Sequence, residues 1–288
     1  MKNSTQYDLR SLQHERHMLD LYRAGSARDS ALLPPLANAC WRASAFEWRL
    51  SEDSDVIRGL WREGARALAD GFVRRRMRVQ QSPEELLLAL HLALASRSFD
   101  LVGRLTHITT ETSGLERAKR VRSRLLLLEA YLAITREIFE NRSESRETIQ
   151  RLIDEAVAEL DREVRREQFV STREVAWRID EHEHICALLR IVASLLSEGE
   201  PTAEKQSPKI DLTLESSFAS LMDRAMKGVE QFVDGEGNHR PKFYFWLPGI
   251  ALTVLAEAAG LSLEWLREKH GEKSGAYARL PLKLVLNN

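Results

Sequence analysis

The sequence predicts an all-α protein, built as a multi-helix bundle or as layered antiparallel helical hairpins with solenoid-like stacking. Three observations predict it. Apolar residues recur with a 3.6-residue period along almost the whole chain, strand-like alternation is nearly absent, and most connectors between periodic segments are short. The chain has 288 residues, 43% of them hydrophobic and 30% charged, the mixture of a globular protein with a sizeable core.

Taken in order, the first periodic segments predict helices near 6–24, 36–49 and 54–77, separated by Gly25-Ser26 with Pro34-Pro35 and by 51–54. Ser82-Pro83 then offers an N-cap and a first helical position. The segment that follows, 84–95 (EELLLALHLALA), has almost no polar face and belongs in the middle of a layered stack. Short connectors near 96–100 and 109–114 favour antiparallel neighbours. Val121, Leu125, Leu128, Leu132 and Phe139 form the next stripe. Ile149, Leu152, Ile153, Ala156, Val157, Leu160 and Val164 follow, with Arg151, Asp154, Glu155, Glu159 and Arg162 on the wet face.

Residues 197–211 (SEGEPTAEKQSPKID) carry two prolines and no period, so an exposed loop is expected there. It divides a helical part over 1–196 from a second over 212–288, which packs on the first as one globular unit. In the second part, Phe218, Leu221, Met222, Ala225, Val229 and Phe232 predict an amphipathic helix, and 234–241 (DGEGNHRP) predicts a loop. The segment 247–259 is apolar nearly all round, opened by Pro248 and closed by Gly260. Ser262 can cap a short final helix bearing Leu263, Trp265 and Leu266. Pairs of helices suggest a search for a period of about 34 residues, but no repeating Gly, Ala and Pro pattern accompanies them.

Charge and motifs narrow the function. A formal charge of -1 gives no global field toward nucleic acid or an anionic membrane. The polar N-terminus does not read as a secretory signal, and no run approaches the roughly 18–20 apolar residues of a membrane span, so a cytoplasmic protein is expected. Cys40 and Cys186 lie in apolar helical patterns and read as buried thiols. Phosphate-cradling glycine loops, Gly-x-Ser-x-Gly elbows and metal-type cysteine spacings are missing from the sequence, and neither a cofactor nor a resident metal is expected.

The cluster Asp180-Glu181-His182-Glu183-His184 contains one Glu-x-x-His pair, Glu181 and His184, on one helical face. A di-iron bundle needs two such pairs and two further glutamates. The other match, Glu236 to His239, falls in the glycine-rich segment, so a helical metalloenzyme is the third-ranked reading. His182 falls on the stripe of Val175, Ile179, Cys186 and Leu189, where a buried or interfacial histidine with one hydrogen-bond partner is expected. His14-Glu15-Arg16-His17 has one residue too few between Glu15 and His17 for a zinc-peptidase helix. The basic runs at Arg74, Arg75, Arg76 and Arg78, and from Arg117 to Arg124, read as solvated helix ends rather than as a nucleic-acid surface. Of the six tryptophans, Trp41 and Trp48 stand seven residues apart on one face and suit an interface anchor. The expected partner-binding residues are therefore Trp41, Trp48, Asp180, Glu181 and Glu183.

A family resemblance sharpens this. Phe243-Tyr-Phe-Trp-Leu-Pro-Gly-Ile-Ala-Leu, Ala256 to Gly260, and Tyr277-Ala-Arg-Leu-Pro-Leu together resemble the ending of the immunity 49 family, over roughly the last 45 residues. In that family an aromatic approach leads through Pro-x into an alanine-rich helix, then a Gly and a Tyr-x-x-Pro close, here with one residue more before Pro281. The resemblance implies an immunity protein without catalytic residues. Such a protein binds a cognate bacterial toxin, encoded beside it, by direct contact in interbacterial competition. A helical-repeat adaptor or regulator binding a different protein is the alternative.

Overall fold

Each apolar stripe needs a partner to cover it, and the computed structural model shows how the stripes are paired. It describes residues 2–51, 53–74, 83–107, 122–140, 145–164, 172–197, 212–236 and 246–266. The helices are α1 (Lys2–Ser26), α2 (Leu33–Leu50), α3 (Ser54–Arg74), α4 (Pro83–Ala95), α5 (Phe99–Thr106), α6 (Arg122–Glu140), α7 (Arg146–Val164), α8 (Thr172–Ser197), α9 (Leu212–Glu236) and α10 (Leu247–Ala258). A 3-10 turn at Ser30–Leu32 precedes α2, and there is no strand among the described residues. The all-α expectation holds.

Helices adjacent in sequence pack on one another from α1 to α9, while α3 also touches α5, α4 touches α6, and α6 touches α8. This is a series of stacked hairpins. Helix α10 returns to lie on α4 and α8, so the stack closes on itself. One continuous apolar core runs from Leu12 in α1 to Leu266 beyond α10.

The two segments lacking a polar face are central. Leu86, Leu90, Leu92 and Leu94 of α4 and Ile250, Leu252, Val254 and Leu255 of α10 are buried. Helix α10 begins with Pro248 in its first turn and ends in a turn where the Leu261 N–H donates to Ala256 and the Gly260 N–H to Glu257. Gly260 sits there at φ 97, the left-handed position that glycine occupies without a Cβ penalty. Beyond it the Glu264 N–H donates to Ser262 Oγ, the cap the sequence predicts. Helix α4 ends in the same turn type, with Ser98 donating to Ala93 and Arg97 to Leu94. There the left-handed residue is Arg97, at φ 53. Its guanidinium pairs with Glu257 of α10, so the strained turn also ties the two buried helices together.

Two boundaries differ from the expectation. Pro34-Pro35 does not separate helices but lies in the first turn of α2, where a missing N–H costs nothing because no intrahelical acceptor exists for it. Asp234 to Glu236 continue α9 rather than opening a loop, and 237–241 lie outside the described residues. So do 198–211, 109–114, the arginines at 75, 76 and 78, and the 277–282 segment of the family resemblance. Arg124 pairs with Glu84, while Arg117, Lys119 and Arg120 of the same run lie outside the described residues.

The α1–α2 seam is polar where a core seam would be apolar. Asp8 and Glu15 of α1 and Glu47 of α2 are buried. Each meets an arginine: Arg49 reaches Asp8 at 3.1 Å, Arg42 reaches Glu15 at 2.8 Å, and Arg16 pairs with Glu47. The first two pairings run in opposite chain directions, which fixes the helices antiparallel.

Two histidines are buried deep in the core. His91 of α4 stands edge-on to Tyr131 of α6, with ring centroids 5.1 Å apart, and desolvation pushes it down to about 3. Desolvation pushes His182 down to about 4, against the favourable backbone contact of Ala156 and with Arg124 nearby. Both rings are neutral in the fold, whereas an unfolded histidine titrates near ~6.5. The stability conferred by neutral burial is therefore complete above about pH 6.5 and is lost as pH falls toward the folded values. Each ring forfeits about 2 kcal/mol between pH 6.5 and pH 5. Thermal unfolding at pH 7 and pH 5 should show the midpoint falling, and His91→Leu should flatten that slope. An unchanged slope in the variant would place the proton uptake elsewhere.

Candidate functional site

Helix α8 carries a core face and a wet face in alternation. His182, Cys186 and Leu189 point into the core, while Ala176, Trp177, Asp180, Glu181 and His184 share the opposite side. That side faces Ala225, Gly228 and Val229 of α9, and Trp246 closes one end. Together they line a half-open cleft of about 270 Å³.

Trp246 is the best-fixed part of its wall. The ring is 3% exposed, and its indole N–H donates to Glu181 Oε1 at 3.0 Å. It packs against Gly249, in the first turn of α10, where any Cβ would overlap the six-membered ring. The bare backbone at Gly249 is thus the seat on which the indole rests. Burial raises the Tyr131 phenol well above its ordinary range, and the nearby Glu181 carboxylate pushes the same way. Burial likewise pushes the Cys186 thiol up to about 12, so it stays protonated and inert.

The sequence-predicted residues are distributed unequally. Asp180 is exposed on the cleft rim, and Glu181 is half-buried in its wall. Glu181 accepts the Trp246 indole N–H. Glu183 is exposed on α8 but outside the cleft lining. Trp41 and Trp48 are half-buried and packed against the core from α2, and neither lines the cleft. His182 is buried as expected. The His184 ring meets the Asp180 backbone carbonyl, so both members of the Glu-x-x-His pair are engaged by the protein itself. No group of three or more potential metal ligands converges among the described residues.

Trp177 and Trp246 are the cleft residues that sequence reasoning left unassigned. For Trp246 a local signal existed: a bulky ring three residues before a glycine, at a helix start marked by Pro248. Its partner Glu181 lies 65 residues away, and no spacing rule connects the two.

A second recess, of about 290 Å³, lies between α1, α2 and α3, but Arg16, Arg23 and Glu47 in its lining are already ion-paired. No described helix is long and apolar enough to cross a membrane.

Gly249→Ala should lift Trp246 from its seat and break the bond to Glu181, costing about 1–3 kcal/mol by overpacking. Chemical denaturation reads the loss, and the Trp246 indole N–H resonance should move with it. A variant of unchanged stability and unchanged resonance would show that the ring does not depend on Gly249.

No protein-family model, no curated protein and no solved structure matches the chain. The resemblance to the immunity 49 family therefore rests on the residues that carry it.

Proposed function

We propose that this chain is an immunity protein that neutralises a cognate bacterial toxin by direct protein–protein contact, with the acidic, tryptophan-lined cleft of α8 and α9 as part of the contact face. The observation that carries the reading is the cleft itself. Asp180, Glu181 and Trp177 stand together on α8, with Trp246 closing one end of the cleft, a combination suited to gripping a partner. The buried titratable groups described above have structural roles, being neutral, ion-paired or engaged by backbone. An acidic contact face also speeds encounter with a basic partner and narrows partner choice. The C-terminal resemblance points the same way.

The second reading is a helical adaptor that binds a different protein. The serial stacking of hairpins from α1 to α9 favours it, because stacked helical pairs build extended binding surfaces.

Paired expression with the protein encoded immediately upstream separates the two. The expected result is a toxic neighbour, rescue of the cells by this chain, and co-purification as a stoichiometric complex. Rescue should weaken when Asp180 and Trp177 are replaced together. A toxic neighbour that is neither bound nor neutralised sinks the antidote reading for that pair and brings the adaptor forward.

A further inference from the structure

We propose that the cleft between α8 and α9 receives an arginine side chain presented by the partner protein. The inference deepens the protein-binding reading and rests on it.

The chemistry of the lining selects a cation. Its charged side chains are Asp180 and Glu181, with neither lysine nor arginine among its lining residues. Several other surface acids are matched within the fold: Glu63 by Arg23, Asp70 by Arg104, Asp154 by Arg190, and Glu257 by Arg97. The Asp180 carboxylate has no such match among the described residues, and it stands on the rim of a concave site. The half-buried Trp177 adds an indole to the wall, and aromatic faces attract cations. A planar guanidinium can stack on an indole while its fork meets a carboxylate, a geometry that a lysine ammonium does not reproduce.

The floor leaves room for it. Gly228 lies in the middle of α9, and a Cβ placed there would meet nothing within 4 Å. Neither crowding nor a left-handed backbone explains a glycine at this position, where alanine would favour the helix. What its missing side chain provides is open space in the cleft.

The test uses the full chain with tryptophan labelled in nitrogen-15 and follows the Trp177 and Trp246 indole resonances. Three probes are titrated: N-acetyl-arginine methylamide, the matching citrulline compound, and tetramethylammonium. A saturable shift with the arginine probe is expected, with citrulline at least tenfold weaker. Asp180→Asn should weaken the arginine response about tenfold. Gly228→Leu should abolish it by filling the cleft, with a thermal midpoint no lower than that of the parent. Equal responses to arginine and citrulline overturn the proposal, as does an unimpaired response in Gly228→Leu. Tetramethylammonium binding as tightly as the arginine probe also overturns it, in favour of a free small cation. A silent titration overturns it too but leaves the rescue assay standing, and a failed rescue leaves the titration standing, so the two failures are distinguishable.

Discussion

An apolar helix left in water forfeits about 1.5–3 kcal/mol for every large side chain it fails to bury, and this chain carries two helices with almost no wet face. Helices α4 and α10 solve the problem by lying on each other. Helices α3, α5 and α6 cover the remaining sides of α4, and α8 covers α10. The other helices can afford polar outer faces because this pair occupies the centre. The contact is held at one end by Arg97 and Glu257, where a left-handed arginine turns the chain and reaches across to the second helix. Glycine would fit that turn with less strain but could not form the pair.

Burial also explains what the sequence could and could not disclose. The central position of α4 and α10 is legible because a helix with almost no polar face has nowhere else to go. The stop at Gly260 and the cap at Ser262 are legible because both depend on local geometry. Pro34-Pro35 misleads, since the same dipeptide can precede a helix or start one. The polar seam between α1 and α2 is harder still: Asp8, Glu15 and Glu47 look like surface acids until Arg49, Arg42 and Arg16 are set against them. A trace of it is present, because the two acids of α1 and the two arginines of α2 are each spaced seven residues apart.

The cleft shows the same division. Asp180 and Glu181 stand out in the sequence as an acidic run on a helix. Their environment does not, because Trp246 comes from a distant segment and its orientation depends on Gly249. Helix α8 couples the two levels: Glu181 faces the cleft while its neighbour His182 is locked into the core. A cleft wall built this way shares its helix with the core, and its geometry is set by that packing.

The pairing of α4 with α10 has a consequence for how the protein is made. About 150 residues separate the end of α4 from the start of α10, which at roughly 5–20 residues per second corresponds to about 8–30 s of synthesis. Throughout that interval the side of α4 destined for α10 has no partner on the chain. The protein must emerge from the ribosome with its most aggregation-prone surface uncovered, shielded only by the hairpins already formed or by a chaperone. Truncations that remove α10 should consequently accumulate as aggregates rather than as a smaller folded protein.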